Sequence, residues 1–94
     1  MKMIVITYSG GDPARVSTLL DEAGVPGHTR FAGGHGHGLT GPREGNRAWP
    51  GEVAMFYTVI KDHLAADVMQ RLERAPLPPG ERLHAAVLPV EAFI

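Results

Sequence analysis

The sequence predicts an α+β sandwich of the ferredoxin-like βαββαβ type, with a four-stranded antiparallel sheet and two helices on one of its faces. Four apolar runs of strand length and two amphipathic helical patterns occur in the order strand, helix, strand, strand, helix, strand. Right-handed crossover connections leave few topologies for that order. A chain of 94 residues is long enough for one core, so we expect residues 1–94 to form a single domain.

The first half of the chain supplies the first strand, the first helix and the second strand. Residues 1–8 are an apolar run that ends shortly before two glycines. Asp12 can cap a helix whose first position suits Pro13, and Gly24 suits the end of that helix. The apolar face of the helix comprises Val16, Leu19, Leu20 and Ala23. Residues 28–32 form the predicted second strand.

The second half of the chain supplies the third strand, the second helix and the fourth strand. Residues 52–60 alternate as a strand, with apolar side chains at both sets of positions. Asp62 can cap the second helix. The apolar face of that helix comprises Leu64, Ala65, Val68, Met69, Leu72 and Ala75. Residues 83–90 form the predicted fourth strand, and Pro89 places it at an edge because proline has no N–H to donate.

The two apolar faces of the third strand predict self-association. Two helices can cover only one face of a four-stranded sheet, and the other face of such a sheet is polar when it meets water. A closed ring of identical copies is a common way to bury an apolar face of this kind. We therefore expect a homotrimer.

The charge balance and the residue types exclude several classes of partner and site. Nine basic and ten acidic residues give a formal net charge of −1, which argues against a nucleic-acid or membrane surface as the main partner. The sequence has no cysteine, so disulfides, thiolate nucleophiles and cysteine zinc sites are excluded. No apolar run approaches the roughly 20 residues of a membrane span. The N-terminus lacks the signal-peptide pattern, and we expect a cytoplasmic protein.

A glycine-rich loop over residues 33–51 is the predicted functional segment, since loops of this length in small domains usually carry function. Its glycines and prolines argue against a helix and against strand pairing. A GxGxxG match begins at Gly36, but Pro42 is incompatible with the helix that a dinucleotide site requires next. Exposed glycine amides can still cradle an anion. Arg43 and Arg47 lie four residues apart and can clamp a phosphate or carboxylate.

His35 and His37 indicate an alternative function based on metal binding. Side chains at i and i+2 face the same side of an extended chain, so the two imidazoles form a chelating pair for zinc or copper. Solvated loop histidines are the competing interpretation, because structural sites usually take four ligands.

No catalytic constellation stands out, so we expect a protein that is not an enzyme. The remaining alternative is a small ferredoxin-like enzyme, an isomerase or oxygenase acting on ring compounds or lactones. A pocket between helices and sheet that holds His63 or His84 would favour that alternative.

Three parts of the sequence resemble the P-II signalling family. The segment that leads from the first helix into the second strand resembles that of the family at Leu20, Ala23, Gly24, Val25, Gly27 and Thr29. Residues 34–36 and Gly41 resemble the entry to the family's long T-loop, and residues 87–91 resemble its last strand. The resemblance implies a ferredoxin-like homotrimer that senses a small molecule, commonly an adenine nucleotide, between its subunits. It implies further that the T-loop engages a target protein.

The sequence departs from the family in the segment before the last strand. P-II proteins carry a Gly-Asp-Gly-Lys-type segment there, which holds nucleotide phosphates, whereas residues 78–82 of this chain read Pro-Pro-Gly-Glu-Arg. The loop also has no tyrosine for nucleotidyl modification. A more distant resemblance to the trimeric CutA proteins, which are implicated in divalent-metal tolerance, agrees with the metal alternative.

These features together predict a divergent P-II-like sensor that requires no cofactor. The expected ligand is small and anionic, with an adenine nucleotide as one possibility and a divalent metal as the alternative. The predicted ligand-binding residues are Thr29, Gly34, Gly36, Gly38, Arg43 and Arg47, and the predicted metal ligands are His35 and His37.

Overall fold

A computed structural model describes residues 1–38, 41–43 and 53–94 of the chain. The helices and strands in chain order are β1 (Lys2–Ser9), α1 (Ala14–Glu22), β2 (Thr29–Gly34), β3 (Gly36–Gly38), β4 (Gly41–Arg43), β5 (Val53–Ile60), α2 (Asp62–Glu73) and β6 (Arg82–Pro89). Among these residues, β3 pairs with β4, and the four longer strands form the main sheet. Within these described ranges, neither helix is long and apolar enough to span a bilayer.

The main sheet has the strand order β2-β5-β1-β6, and every neighbouring pair is antiparallel. The central strand β1 pairs along its whole length with β5 on one side and with β6 on the other. Because β1 and β2 are separated by β5, the helix between them crosses over one face of the sheet. The ferredoxin-like sandwich predicted from the sequence is confirmed. Pro89 does lie on an edge strand, opposite Lys2.

The core lies between the two helices and the sheet face that they cover. Ile4, Ile6 and Tyr8 of β1 are fully buried on this face. The helices contribute Val16, Leu20, Ala65, Val68 and Leu72, at the helical spacing that the sequence predicts. Thr58 is a buried polar residue of this core, and its hydroxyl donates a hydrogen bond of 2.6 Å to the Gly27 carbonyl oxygen. This hydrogen bond offsets the cost of burying the Thr58 hydroxyl.

The opposite face of the sheet is apolar over much of its area, and we call it the open face. The strand register assigns to it Met3, Val5, Thr7, Ser9, Thr29, Phe31, Val53, Met55, Tyr57, Val59, Arg82, His84, Ala86 and Leu88. The side chains of Phe31 and Leu88 are 54% and 44% exposed. The rings of Phe31 and Tyr57 stack at a centroid distance of 6.3 Å. Apolar side chains therefore occupy both faces of β5, as the sequence predicts.

Three local expectations are wrong. Residues of the glycine-rich loop pair as strands, because β2 continues to Gly34 and β3 pairs with β4. Asp12 does not cap α1, which begins after Pro13 without a capping side chain. Asp62 does not cap α2 either, because it is the first residue of the helix and its carboxylate pairs with the terminal amine of Met1 at 2.8 Å. The hydrogen bond to that amine lowers the pKa of Asp62.

Gly24 ends α1 in the left-handed region, with φ of +83°. The turn is closed by a hydrogen bond of 3.1 Å from the Val25 N–H to the Leu20 carbonyl oxygen. We expect Gly24→Ala to lower the free energy of unfolding by about 1–2 kcal/mol, because a Cβ is strained in this region. Urea denaturation measures the change.

The matched control for Gly24→Ala is Gly27→Ala, since Gly27 has a negative φ and open space around it. This control should change the free energy of unfolding by less than about 0.5 kcal/mol. Equal losses in the two variants would contradict a conformational role for Gly24.

Candidate functional site

The candidate site lies along one edge of the main sheet, where the glycine-rich loop leaves β2 and returns to β5. Four residues stand in line across the strands at this edge: Gly34 of β2, Val53 of β5, Ser9 of β1 and Arg82 of β6. Neighbouring strands are about 4.8 Å apart, so the row spans about 14 Å. We call this row the loop-side edge. It brings the root of the loop near the turn that follows β1 and the segment that precedes β6.

Three of the predicted ligand residues share the β3–β4 ladder, in which Gly36 lies opposite Arg43 and Gly38 lies opposite Gly41. Gly34 lies at the root of the loop and packs closely on β5. A Cβ added to Gly34 would lie 3.1 Å from the Val53 carbonyl oxygen, which is tighter than ordinary contact. Arg47 lies outside the described residues.

Thr29 lies at the other end of β2, opposite Tyr57. Tyr57 and Val53 are four positions apart on β5, so Thr29 is about 13 Å from the loop-side edge. Within one copy of the chain, the structure therefore separates Thr29 from the loop glycines.

The two predicted metal ligands flank the start of β3. His35 is exposed between β2 and β3, and the side chain of His37 lies outside the described part of the chain. Among residues 1–38, 41–43 and 53–94, no group of three or more histidine, cysteine, aspartate or glutamate residues is arranged to hold a metal. The histidine metal site stays a prediction.

A cluster of polar side chains joins the end of β1, the start of α1 and the segment before β6. The Tyr8 hydroxyl accepts a hydrogen bond of 3.1 Å from the Asp12 N–H and forms another with the Glu81 carboxylate. The Arg15 Nε donates to Glu81 Oε1 at 3.1 Å. The Arg15 Nη2 is 3.9 Å from the Asp12 carboxylate. We call these four residues the Glu81 cluster.

The Glu81 cluster is buried at Tyr8 and exposed to solvent at Arg15. Tyr8 is fully buried, whereas the side chains of Glu81 and Arg15 are 12% and 36% exposed. Burial raises the pKa of Tyr8, and the hydrogen bond to Glu81 raises it further. The hydrogen bond with Tyr8 raises the pKa of Arg15. At neutral pH the cluster thus contains a neutral phenol beside an arginine cation.

Solved structures with this fold cover nearly the whole chain. One is CPII from Thiomonas intermedia K12, a nitrogen regulatory PII-like protein bound to ADP, AMP and bicarbonate, with 21% identity and a TM-score of 0.70 over 97% of this chain and 88% of that one. Another is a candidate PII-like signaling protein from Thermus thermophilus, with 23% identity and a TM-score of 0.68 over 93% of this chain and 83% of that one. No family model and no curated protein matches the sequence.

The chain has the fold of PII-like proteins. In this PII-like fold, the Glu81 cluster belongs to the candidate site because Glu81 immediately precedes Arg82 of the loop-side edge. Sequence reasoning missed the cluster, since it assigned Asp12 to a helix cap and gave Arg15 no role. One signal was available: Tyr8 occupies a core position of its strand, and a buried tyrosine hydroxyl needs a hydrogen-bond partner.

A surface groove of this PII-like fold lies between α2 and β6 and has a volume of about 550 Å³. It is lined by apolar side chains, among them Met69 and Leu77, and by Glu73 and His84. His84 is exposed, and no hydrogen bond or ion pair to another described residue orients its imidazole. The strand register places the His84 side chain on the open face, opposite the helices, so the enzyme alternative stays a prediction.

Gly10 packs directly against the Glu81 cluster. A Cβ at this buried position would collide with the Tyr8 hydroxyl and would lie 2.8 Å from the Glu81 Cδ. We expect Gly10→Ala to lower the free energy of unfolding by about 1–3 kcal/mol through overpacking. Chemical denaturation measures the change, with Gly11→Ala as the control because nothing lies within 4 Å of its Cβ. A Gly10→Ala variant as stable as Gly11→Ala would contradict the tight packing of the cluster.

Proposed function

We propose that the protein is a P-II-like sensor that binds a small anionic ligand at the loop-side edge, and that an adenine nucleotide is the ligand. One observation carries the proposal. The fold matches that of CPII, a protein bound to ADP, AMP and bicarbonate, over 97% of this chain. The near-neutral charge of the chain agrees with a small ligand rather than a polyanionic partner.

The loop supplies the anion-binding groups in this proposal. The amides of Gly34, Gly36 and Gly38 approach the ligand closely, because glycine leaves the backbone accessible. Arg43 and Arg47 hold its charged group through forked donors. Thr29 is about 13 Å from the loop root in the same copy, so we assign its contact to a neighbouring copy.

The neighbouring copies come from a trimer in which the open faces pack together. Phe31, Met55 and Leu88 are more than a third exposed on this face. Exposed apolar surface of this kind marks a protein interface. Identical subunits close into rings through such interfaces, and a ring also brings Thr29 of one copy to the loop of the next.

Signalling in this proposal runs through the loop of residues 33–51. Over its described residues, the β3–β4 ladder has three residue pairs and forms a separate sheet, and a two-stranded ladder of this length has a small free energy of formation. A ligand that binds the ladder glycines, Arg43 and Arg47 shifts the loop to one conformation, which a target protein recognises. The protein itself catalyses no reaction.

We expect at least one of ATP, ADP and AMP, with or without bicarbonate, to raise the melting temperature of the protein. A ligand at about 100 times its dissociation constant stabilises the folded state by about 2.7 kcal/mol. The Arg43→Ala, Arg47→Ala double variant should lose most of that shift. The matched control is Arg71→Ala, Arg74→Ala, which removes the same charge from exposed positions in the last turn of α2 and at its C-cap.

Two results would contradict the nucleotide proposal. One is the absence of any shift in the wild type at millimolar nucleotide. The other is an equal shift in both double variants, which would remove the assigned role of the loop arginines.

We expect the wild type to sediment as a trimer and Met55→Glu to sediment as a monomer. Met55 is partly exposed on the open face of one copy, so the substitution leaves the fold intact. A carboxylate without a partner in the interface costs several kcal/mol. Analytical ultracentrifugation distinguishes the two states, with Gln70→Glu on the exposed surface of α2 as the control. A wild-type monomer, or a trimeric Met55→Glu, would overturn the proposed interface.

A further inference from the structure

The chain places one of its own carboxylates in a site suited to an anion. Glu81 Oε1 accepts a hydrogen bond of 3.1 Å from Arg15 Nε, and the Glu81 carboxylate also contacts the Tyr8 hydroxyl. A cation and a phenol are the donors that proteins commonly direct at a bound carboxylate or phosphate group. Tyr8 is fully buried, so its hydroxyl is held in place by the core rather than by Glu81.

The space around the Glu81 carboxylate has room for one carboxylate or phosphate group. Gly10 forms the floor of this space, and any side chain at position 10 would meet the Tyr8 hydroxyl and the Glu81 Cδ. The Asp12 N–H donates to the same hydroxyl at 3.1 Å, which leaves the hydroxyl hydrogen for an anion. The Asp12 carboxylate, which is 59% exposed, lies 3.9 Å from Arg15 Nη2, and its negative charge lowers the affinity of the site for an anion from solution.

We infer that Arg15, Tyr8 and the floor at Gly10 form an anion site that Glu81 occupies as an intramolecular competitor. The site takes one oxyanion group, a carboxylate or a phosphate, at the place where the Glu81 carboxylate now lies. Glu81 sets the affinity of this site for an anion from solution, because that anion binds only when the Glu81 side chain leaves. The loop residues of the proposed nucleotide site play no part in it.

The segment that carries Glu81 is suited to such an exchange. Between α2 and β6, Pro76, Pro78, Pro79 and Gly80 are exposed. Ala75, Leu77 and Glu81 are the partly buried residues of this segment. Gly80 has a φ of +87°, a conformation that glycine adopts without strain. Release of the Glu81 side chain therefore requires little rearrangement of the core.

Chemical rescue of Glu81→Ala tests the inference. The substitution leaves a carboxylate-sized space beside Arg15 and Tyr8, and it should lower the melting temperature. Sodium formate and inorganic phosphate, each compared with sodium chloride at equal ionic strength, should restore it. The preference between formate and phosphate distinguishes a carboxylate site from a phosphate site. Formate or phosphate should bind the variant about tenfold or more tightly than the wild type, because an intramolecular competitor has a high effective concentration.

Two controls make the rescue specific to the site. Glu73→Ala removes an exposed carboxylate from α2 and should show no anion effect beyond that of chloride. Arg15→Ala, Glu81→Ala should lose the rescue, because the cation is gone. Rescue that persists in this double variant, or a Glu81→Ala protein that responds to formate and phosphate as it does to chloride, would overturn the inference.

A second variant covers the case in which Glu81→Ala does not fold. Glu81→Asp keeps the charge but is one methylene shorter, so its carboxylate reaches Arg15 less well. Amide shifts of Gly10, Asp12 and residue 81 in nuclear magnetic resonance spectra should follow formate addition more strongly in this variant than in the wild type. Equal responses in the two proteins would count against the inference. Neither experiment contains a nucleotide, so their failure is distinguishable from failure of the nucleotide proposal.

Discussion

The pairing of β1 with strands on both sides is the constraint on which the rest of the structure depends. All eight residues of β1 are in register with β5 and with β6. Because side chains alternate along a strand, this register sends Ile4, Ile6 and Tyr8 into the core and leaves Val5 on the open face. A slip of one residue would exchange the two faces. The same register aligns Ser9 with Val53 and Arg82, which creates the loop-side edge.

The two ends of β1 have different neighbours on the open face. At the start of the strand, the open face carries Met3 with Val59 and Leu88 as its neighbours. Toward the end of the strand, the neighbours on the open face include Thr7 and His84. Beyond it, the chain turns through two glycines into the Glu81 cluster. Met55 lies opposite Thr7 and Phe31, two positions along the strands from the loop-side edge, so the exposed apolar residues of the open face and the loop-side edge adjoin each other.

The sequence predicts the fold well because the fold follows from local periodicity and chain order. Val16 and Leu20 stand at helical spacing, and Gly24 ends α1 with the positive φ that its position implies. The helix caps at Asp12 and Asp62 could not be predicted as reliably, since other partners compete for those residues. The terminal amine pairs with the Asp62 carboxylate, and the Asp12 carboxylate lies 3.9 Å from Arg15 Nη2. Strand pairing in the glycine-rich loop was missed because glycine content alone does not exclude a short ladder.

The candidate site illustrates why charge clusters are harder to predict than cores. Arg15 and Glu81 are 66 positions apart in the chain, and no local pattern connects them. Their contact exists because β1 brings the start of α1 and the start of β6 to one end of the sheet. In the sequence, Tyr8 alone indicated a polar cluster here, because it places a hydroxyl at a core position. A buried hydroxyl requires a partner, and a buried carboxylate requires a cation or donors. The Tyr8 hydroxyl and the Glu81 carboxylate meet these requirements by bonding to each other, and Arg15 supplies the cation.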